Sequence, residues 1–470
     1  MKMVLRRLHS IFLVVLLLSG ASATRAQTTS PVNERLTPQQ LIQDLDFYVK
    51  TLRETHVDPF IHISEKEWLA HVERIKSQIA KQGGMTREQF WLLFAPLVSS
   101  IQDGHTFVDE PRFLSRNATT KYLPFHTVYV NDKVVVTKSL ADVPIRPGTV
   151  ITSINHIDSE QVIRKLSHYA YGTENERMWF AADWLRIGLS EVFGKREMVA
   201  LTLADGISLE VKPLTLSELR AKESATRTEA TKTNDAPLVL KFLEGNVAYV
   251  VASTFSYDLQ KYLVLLKDVF TRIKASGARH LIVDVRSNTG GNSMLGDELM
   301  DMFNGKPFKT YSASWKRSAQ YVEYLRKDGE KVHRPYLALK PGELLSFDSV
   351  NVAPSQNSLR FNGDVYILSS EDTFSSALMF LAVVKDNNLA KIIGQASISP
   401  ACFAGEVYTF KLPNSGLGVS SSVKYWWAPA GCKNGNAIVP DVVVTRKVED
   451  YVTGRDRILE KALELIREKR

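Results

Sequence analysis

Cysteine is scarce in this sequence: only Cys402 and Cys432 occur among 470 residues. A dense disulfide framework is thereby excluded, leaving either one bridge or two free thiols. Long apolar runs are also missing beyond the first twenty residues, so no later segment is hydrophobic enough to span a bilayer. Clustered histidine and cysteine ligands and phosphate-cradling glycine loops are absent, and neither a metal nor a nucleotide cofactor is implied. No repeat of solenoid length occurs. The net charge of +8 includes Lys2, Arg6, Arg7 and Arg25 at the extreme N-terminus. The remainder is too nearly balanced for a nucleic-acid footprint.

What is present is ordinary globular composition, 44% hydrophobic and 23% charged, enough for cores in two or three domains. Residues 1–26 read as a secretory signal: a basic start, the apolar "IFLVVLLLSG", and small residues in "ASATRA" suited to cleavage. The expectation is an exported protein, periplasmic or secreted. No cysteine follows the leader to carry a lipid anchor. An oxidising compartment would favour pairing of Cys402 with Cys432.

Between residues 37 and 100 apolar residues recur at three and four, as in Leu41, Leu45, Tyr48 and Leu52, which predicts amphipathic helices over a helical segment 27–115. Residues 116–215 include alternating stretches around turn signals, such as Pro147 and Gly148 entering a strand that ends at Asn155, and read as a small β-rich module. Residues 216–237 are polar and poor in core residues, and read as an exposed connector. From 238 to 470 apolar strands alternate with helices, which predicts crossovers and an α/β core.

Ligand sites of α/β sheets gather at the carboxyl ends of strands. Two loops meet that description. "RSNTGGN" places Gly290 and Gly291 after an apolar strand, where amide groups could face an oxyanion. "EDTFSSALMF" places Ser375 and Ser376 between an apolar strand and a predicted helix, where Thr373 could cap and Ser375 could act as nucleophile. A serine nucleophile needs a base, and "IQDGHTFVD" offers His105 after a glycine break. Taken singly, each has an ordinary explanation: a tight turn, a helix cap, a packing histidine.

Together these segments resemble the S41 serine peptidases, the tail-specific, C-terminal-processing and tricorn-like proteases. "LIVDVRSNTGGN" is similar to the family's signature strand and loop, "TFSSA" to its nucleophile segment, and "IQDGHT" to the Asp-Gly-His-Thr segment of the branch that uses histidine. "GTVITSINHIDSEQVIRKL" resembles the end of the family's PDZ-like module, with His156 where glycine is usual. "GNAIVPDVVV" resembles its closing segment. The resemblance implies a ClpP/crotonase-like α/β catalytic core, an N-terminal helical cap and a PDZ-like β-rich module. It implies Ser375 as nucleophile, His105 as base, and amides of Ser376 and of Gly290 or Gly291 as the oxyanion hole. Asp103 or Glu406 would orient the imidazole.

Three departures accompany the likeness. Leu378 stands where the family has glutamate, Gly104 where tricorn-like members have serine, and no lysine lies between Lys391 and Lys411 for a serine/lysine dyad. The implied activity is serine-type hydrolysis of protein or peptide substrates without a cofactor. The rivals are a non-catalytic relative binding peptide or polysaccharide, and an esterase or amidase acting on small acyl groups.

Overall fold

Three helices, Pro38–Thr55, Glu65–Gln82 and Arg87–Ser99, come first in the computed structural model, which describes residues 35–109, 120–226, 236–327, 333–432 and 437–469. The leader expected over residues 1–26 lies outside the described residues. Each helix opens with a capping box, Thr37 with Gln40, Ser64 with Glu67 and Thr86 with Gln89. Such reciprocal bonds satisfy two otherwise orphaned donors at the first turn. Their apolar faces join one core containing Leu41, Leu45, Tyr48, Phe90 and Phe94, and that core is completed by Phe410, Leu412, Leu417 and Val419. The helical cap therefore shares its core with strands more than three hundred residues on, which no local pattern could announce.

The stretch read as a β-rich module forms an antiparallel sheet in the order Phe125–Val130, Lys133–Ser139, Val150–Ile154, Val199–Leu203, Ser208–Val211. Helices Ser159–Ser167 and Glu174–Phe193 cover it, burying Val162, Leu166, Ala181 and Leu185 against the strands. The strand from Val150 ends in a turn whose Asn155 and His156 have φ of 49° and 66°. Paired left-handed residues are the tight-hairpin geometry that usually selects glycine at the second place, so His156 adopts the backbone of the glycine it replaces. The connector differs from its expectation: Leu216–Thr226 is helical, because Leu219 buries beside Tyr122, Ile187 and Leu214. Residues 227–235 of that connector lie outside the described residues.

The α/β core is a six-stranded sheet in the order Leu238–Leu243, Val247–Ala252, His280–Asp284, Asp364–Ser369, Lys391–Gly394, Val442–Val443. All pairings but the first are parallel. Helices Leu259–Ser276, Ser293–Asp301 and Ser376–Asp386 pack on one face, and Arg457–Glu468 on the other. Strands buried on both faces read as continuous apolar runs, which explains "LIVDV" and "VYIL". A second, antiparallel sheet runs Leu344–Phe347, Ser312–Lys316, Gly418–Trp427, Phe403–Lys411. The short strand Phe107–Val108 pairs with its Gly418–Trp427 member.

Candidate active site

Strands His280–Asp284 and Asp364–Ser369 are parallel neighbours, with Asp284 opposite Leu368. Their following loops therefore leave the same sheet edge side by side, and the glycine loop meets the serine loop. A Cβ on Gly290 would stand 2.6 Å from the Ser375 Cβ and 2.9 Å from the Ser376 nitrogen. Only glycine permits that approach, at a φ of 100° that L side chains rarely adopt.

Ser375 itself has φ 52° and ψ −124° and makes no side-chain cap, while the helix begins at Ser376. The capping expectation fails for Thr373 as well. Its hydroxyl donates to the Val285 carbonyl and accepts from the Ser370 amide, tying the loop to the sheet. A non-glycine residue at such an angle costs on the order of 1–3 kcal/mol, which the surrounding packing must impose. The result is a sharp strand-to-helix turn that presents the Ser375 hydroxyl.

His105 reaches that hydroxyl from 270 residues away, its Nε2 standing 3.0 Å from Ser375 Oγ. The ring is 9% exposed and lies between Phe374 and Phe403, with centroids 4.9 and 5.4 Å away and planes within 19° of parallel. Burial lowers the histidine's pKa, against the opposing pull of the Asp103 carboxylate, the Ala404 carbonyl and Glu406. The net direction is downward, so the imidazole is neutral and basic at neutral pH.

Asp103 anchors the histidine loop. Its Oδ1 accepts from the His105 amide at 2.9 Å, and its Oδ2 accepts from His56 Nε2 at 3.0 Å, the Thr106 hydroxyl at 2.5 Å and the Ser422 hydroxyl at 2.6 Å. The His56 tautomer follows, because Nδ1 accepts from the Asp58 amide and leaves the proton on Nε2. Burial would push the Asp103 carboxyl up. The His56 hydrogen bond, the charge of His56 and His105 when these rings are protonated at low pH, and the Ser422 hydrogen bond outweigh it and hold the carboxyl at about 2. Asp103 touches His105 through its backbone, not its ring.

Glu406, the other carboxylate expected to orient the ring, makes no hydrogen bond to His105. Its side chain is 8% exposed; Oε1 accepts from Tyr321 at 2.9 Å and Oε2 from Lys424 at 3.1 Å. The amide expectation is also refined. The Gly290 amide donates to Asn288 Oδ1, whereas the Gly291 and Ser376 amides meet no protein acceptor among the described residues. The Ser376 hydroxyl donates to the Gly291 carbonyl at 2.6 Å and ties the two loops together.

The three departures acquire physical reasons. Leu378 is 1% exposed, part of the core beneath the sheet, and lines the cleft with an apolar wall. A Cβ on Gly104 would lie 3.2 Å from the Phe374 ring and 3.3 Å from Glu176 Oε1, so the position before the histidine is sterically tight. In place of a lysine, the 394–406 loop brings Phe403 to the imidazole and Ser399 to Glu176. Cys402 in that loop is bonded to Cys432. The cleft is about 40 Å³ and partly open to solvent.

Phe374, Phe403, His56, Glu176, Ser422 and Lys424 escaped the sequence reading. Aromatic and serine residues in strands carry no local mark of such roles, and each acquires its place only when distant strands adjoin.

Residues 246–444 match the family model "Peptidase family S41". No curated protein matches the chain by sequence. Among solved structures the chain is similar to mature CPAF, at 15% identity and a TM-score of 0.64 over 92% of this chain and 98% of that one. It is similar to mature CPAF complexed with lactacystin, at 16% identity and a TM-score of 0.64 over 92% and 99%. A CPAF mutant aligns at 15% identity with a TM-score of 0.66 over 92% and 97%. At these identities the structural likeness concerns the fold. Motif, family match and fold agree, and residues 246–444 are similar to peptidase family S41.

Proposed function

We propose that the protein is an exported serine endopeptidase working through a Ser375/His105 acyl-enzyme mechanism. The observation that carries this reading is the 3.0 Å contact between His105 Nε2 and a Ser375 hydroxyl held on a left-handed turn. His105 takes the Ser375 proton as the oxygen attacks the peptide carbonyl, and returns it to the leaving amine. The unengaged amides of Gly291 and Ser376 hold the oxyanion, at the positive end of helix Ser376–Asp386. Gly290 contributes the close approach rather than its own amide, which Asn288 occupies. Water then releases the acyl group. Asp103 is a positioning residue, acting through the His105 backbone.

Export is supported by the leader-like residues 1–26 and by the Cys402–Cys432 disulfide. No helix among the described residues is long and apolar enough to cross a membrane. The PDZ-like reading of residues 116–215 is supported by the antiparallel sheet and its two covering helices. An edge of that sheet would take up a substrate strand.

A fluorophosphonate probe tests the mechanism. Labelling of the full chain should be lost in Ser375→Ala and retained in Ser376→Ala; absence of labelling in the native protein would favour a binding protein instead. Turnover of unstructured protein against simple esters separates endopeptidase from esterase.

A further inference from the structure

Lys424 is fully buried, at 0% exposure, on the strand Gly418–Trp427, next to Tyr425 of the cleft wall. Its ammonium lies 4.2 Å from the Trp315 ring centroid and 5.3 Å from that of Trp426, and 3.1 Å from Glu406 Oε2. In the strand register Lys424 faces Gly405 and Trp315. Strict alternation would send the intervening Glu406 to the opposite face of the sheet. Glu406 has φ 57°, a left-handed break in the strand, and its carboxylate reaches Lys424. Two costs thus converge two residues after Ala404, which lines the cleft with His105: a strained backbone and a desolvated ion pair. A buried pair is weak support for stability, so a role at the neighbouring site is the better account.

We propose that Lys424 is a positioning residue for the His105 base: paired with Glu406 inside an aromatic box, it balances a carboxylate charge behind the imidazole and keeps Nε2 able to accept the Ser375 proton. The inference rests on His105 being that base. The groups facing the ring explain the need. Asp103, His56, Glu176 from helix Glu174–Phe193, and Tyr425 line the cleft with His105, and Glu406, two residues after Ala404 of the cleft wall, bonds Lys424 and Tyr321. Lys424 is the lysine among these, and its ammonium meets the Glu406 carboxylate. With two carboxylates acting on the ring and no buried cation, the imidazolium would persist toward neutral pH and the base would be occupied. Tyr321 and the tryptophans hold the pair in place without supplying charge.

The pH dependence of kcat/KM on an unstructured peptide reads this directly, and the His105 Cε1 proton resonance reads it without turnover. Lys424→Met should raise the midpoint of both by about one unit, and Glu406→Gln should lower it by a similar amount. The double variant Lys424→Met/Glu406→Gln, which leaves no unpaired buried charge, should return to within a few tenths of the native midpoint. A purely structural pair would lower the plateau without moving either midpoint, and that outcome overturns the proposal. If Lys424→Met does not fold, Glu406→Gln and the double variant decide alone: equal midpoints in native, single and double forms refute it. Loss of fluorophosphonate labelling in the native protein would instead strike the base assignment, leaving the resonance shifts to report on the pair.

Discussion

The Ser422 hydroxyl donates to Asp103 Oδ2 at 2.6 Å across 319 residues of sequence. It joins the histidine loop to the strand that also carries Lys424. Asp103 is consequently the junction of three elements, and Asp103→Asn should reduce kcat/KM by roughly a hundredfold through misplacement of His105 while KM changes little. Steady-state kinetics on a peptide substrate check the split.

The same residue gives a pH signature in stability. The Asp103 carboxyl is held at about 2 in the fold against an ordinary 3.8. A depressed folded value means that the stabilisation is present above about pH 4 and is lost as pH falls towards 2, amounting to about 2 kcal/mol. Acid unfolding followed by circular dichroism should show this loss in the native protein, and Asp103→Asn should flatten that part of the curve.

Removing one wall of the histidine sandwich should move the catalytic midpoint upward. Burial is the largest influence on His105 and lowers its pKa. Phe403→Ala lets water reach the ring, so the acid limb of kcat/KM should rise toward the ordinary histidine value of about 6.5. An unchanged limb would mean that Phe403 does not desolvate the ring.

Ser376 is predicted to be replaceable where Ser375 is not. Its side chain contributes one hydrogen bond to the Gly291 carbonyl, while its amide survives substitution. Ser376→Ala should cost about 1 kcal/mol, or roughly fivefold in kcat, through loosening of the two loops. Loss as complete as that of Ser375→Ala would assign the nucleophile wrongly.

Opening the Cys402–Cys432 bridge should affect both stability and rate. The bridge closes a loop of 30 residues, worth about 3.5 kcal/mol in the chain-entropy account. It also pins the residue before Phe403, which stacks on His105. Cys402→Ser/Cys432→Ser should melt well below the native protein and turn over more slowly. Equal melting temperatures under reducing and oxidising conditions would remove the bridge from the account.

The sequence by itself determined what depends on near neighbours. Capping boxes at Thr37, Ser64 and Thr86, the apolar parallel strands and the Gly290–Gly291 loop all follow from residues within one turn or one strand. The serine and histidine segments that the fold brings together were legible because each lies in a short motif. Tertiary structure alone decided which group each side chain meets. Glu406 pairs with Tyr321 and Lys424 rather than His105, Asn288 takes the Gly290 amide, and Asp103 holds a backbone instead of a ring. A hydrogen-bond partner is selected by whichever strand lies alongside, and the left-handed angles of Ser375 and Glu406 are imposed by that packing. Neither leaves a periodic trace along the chain.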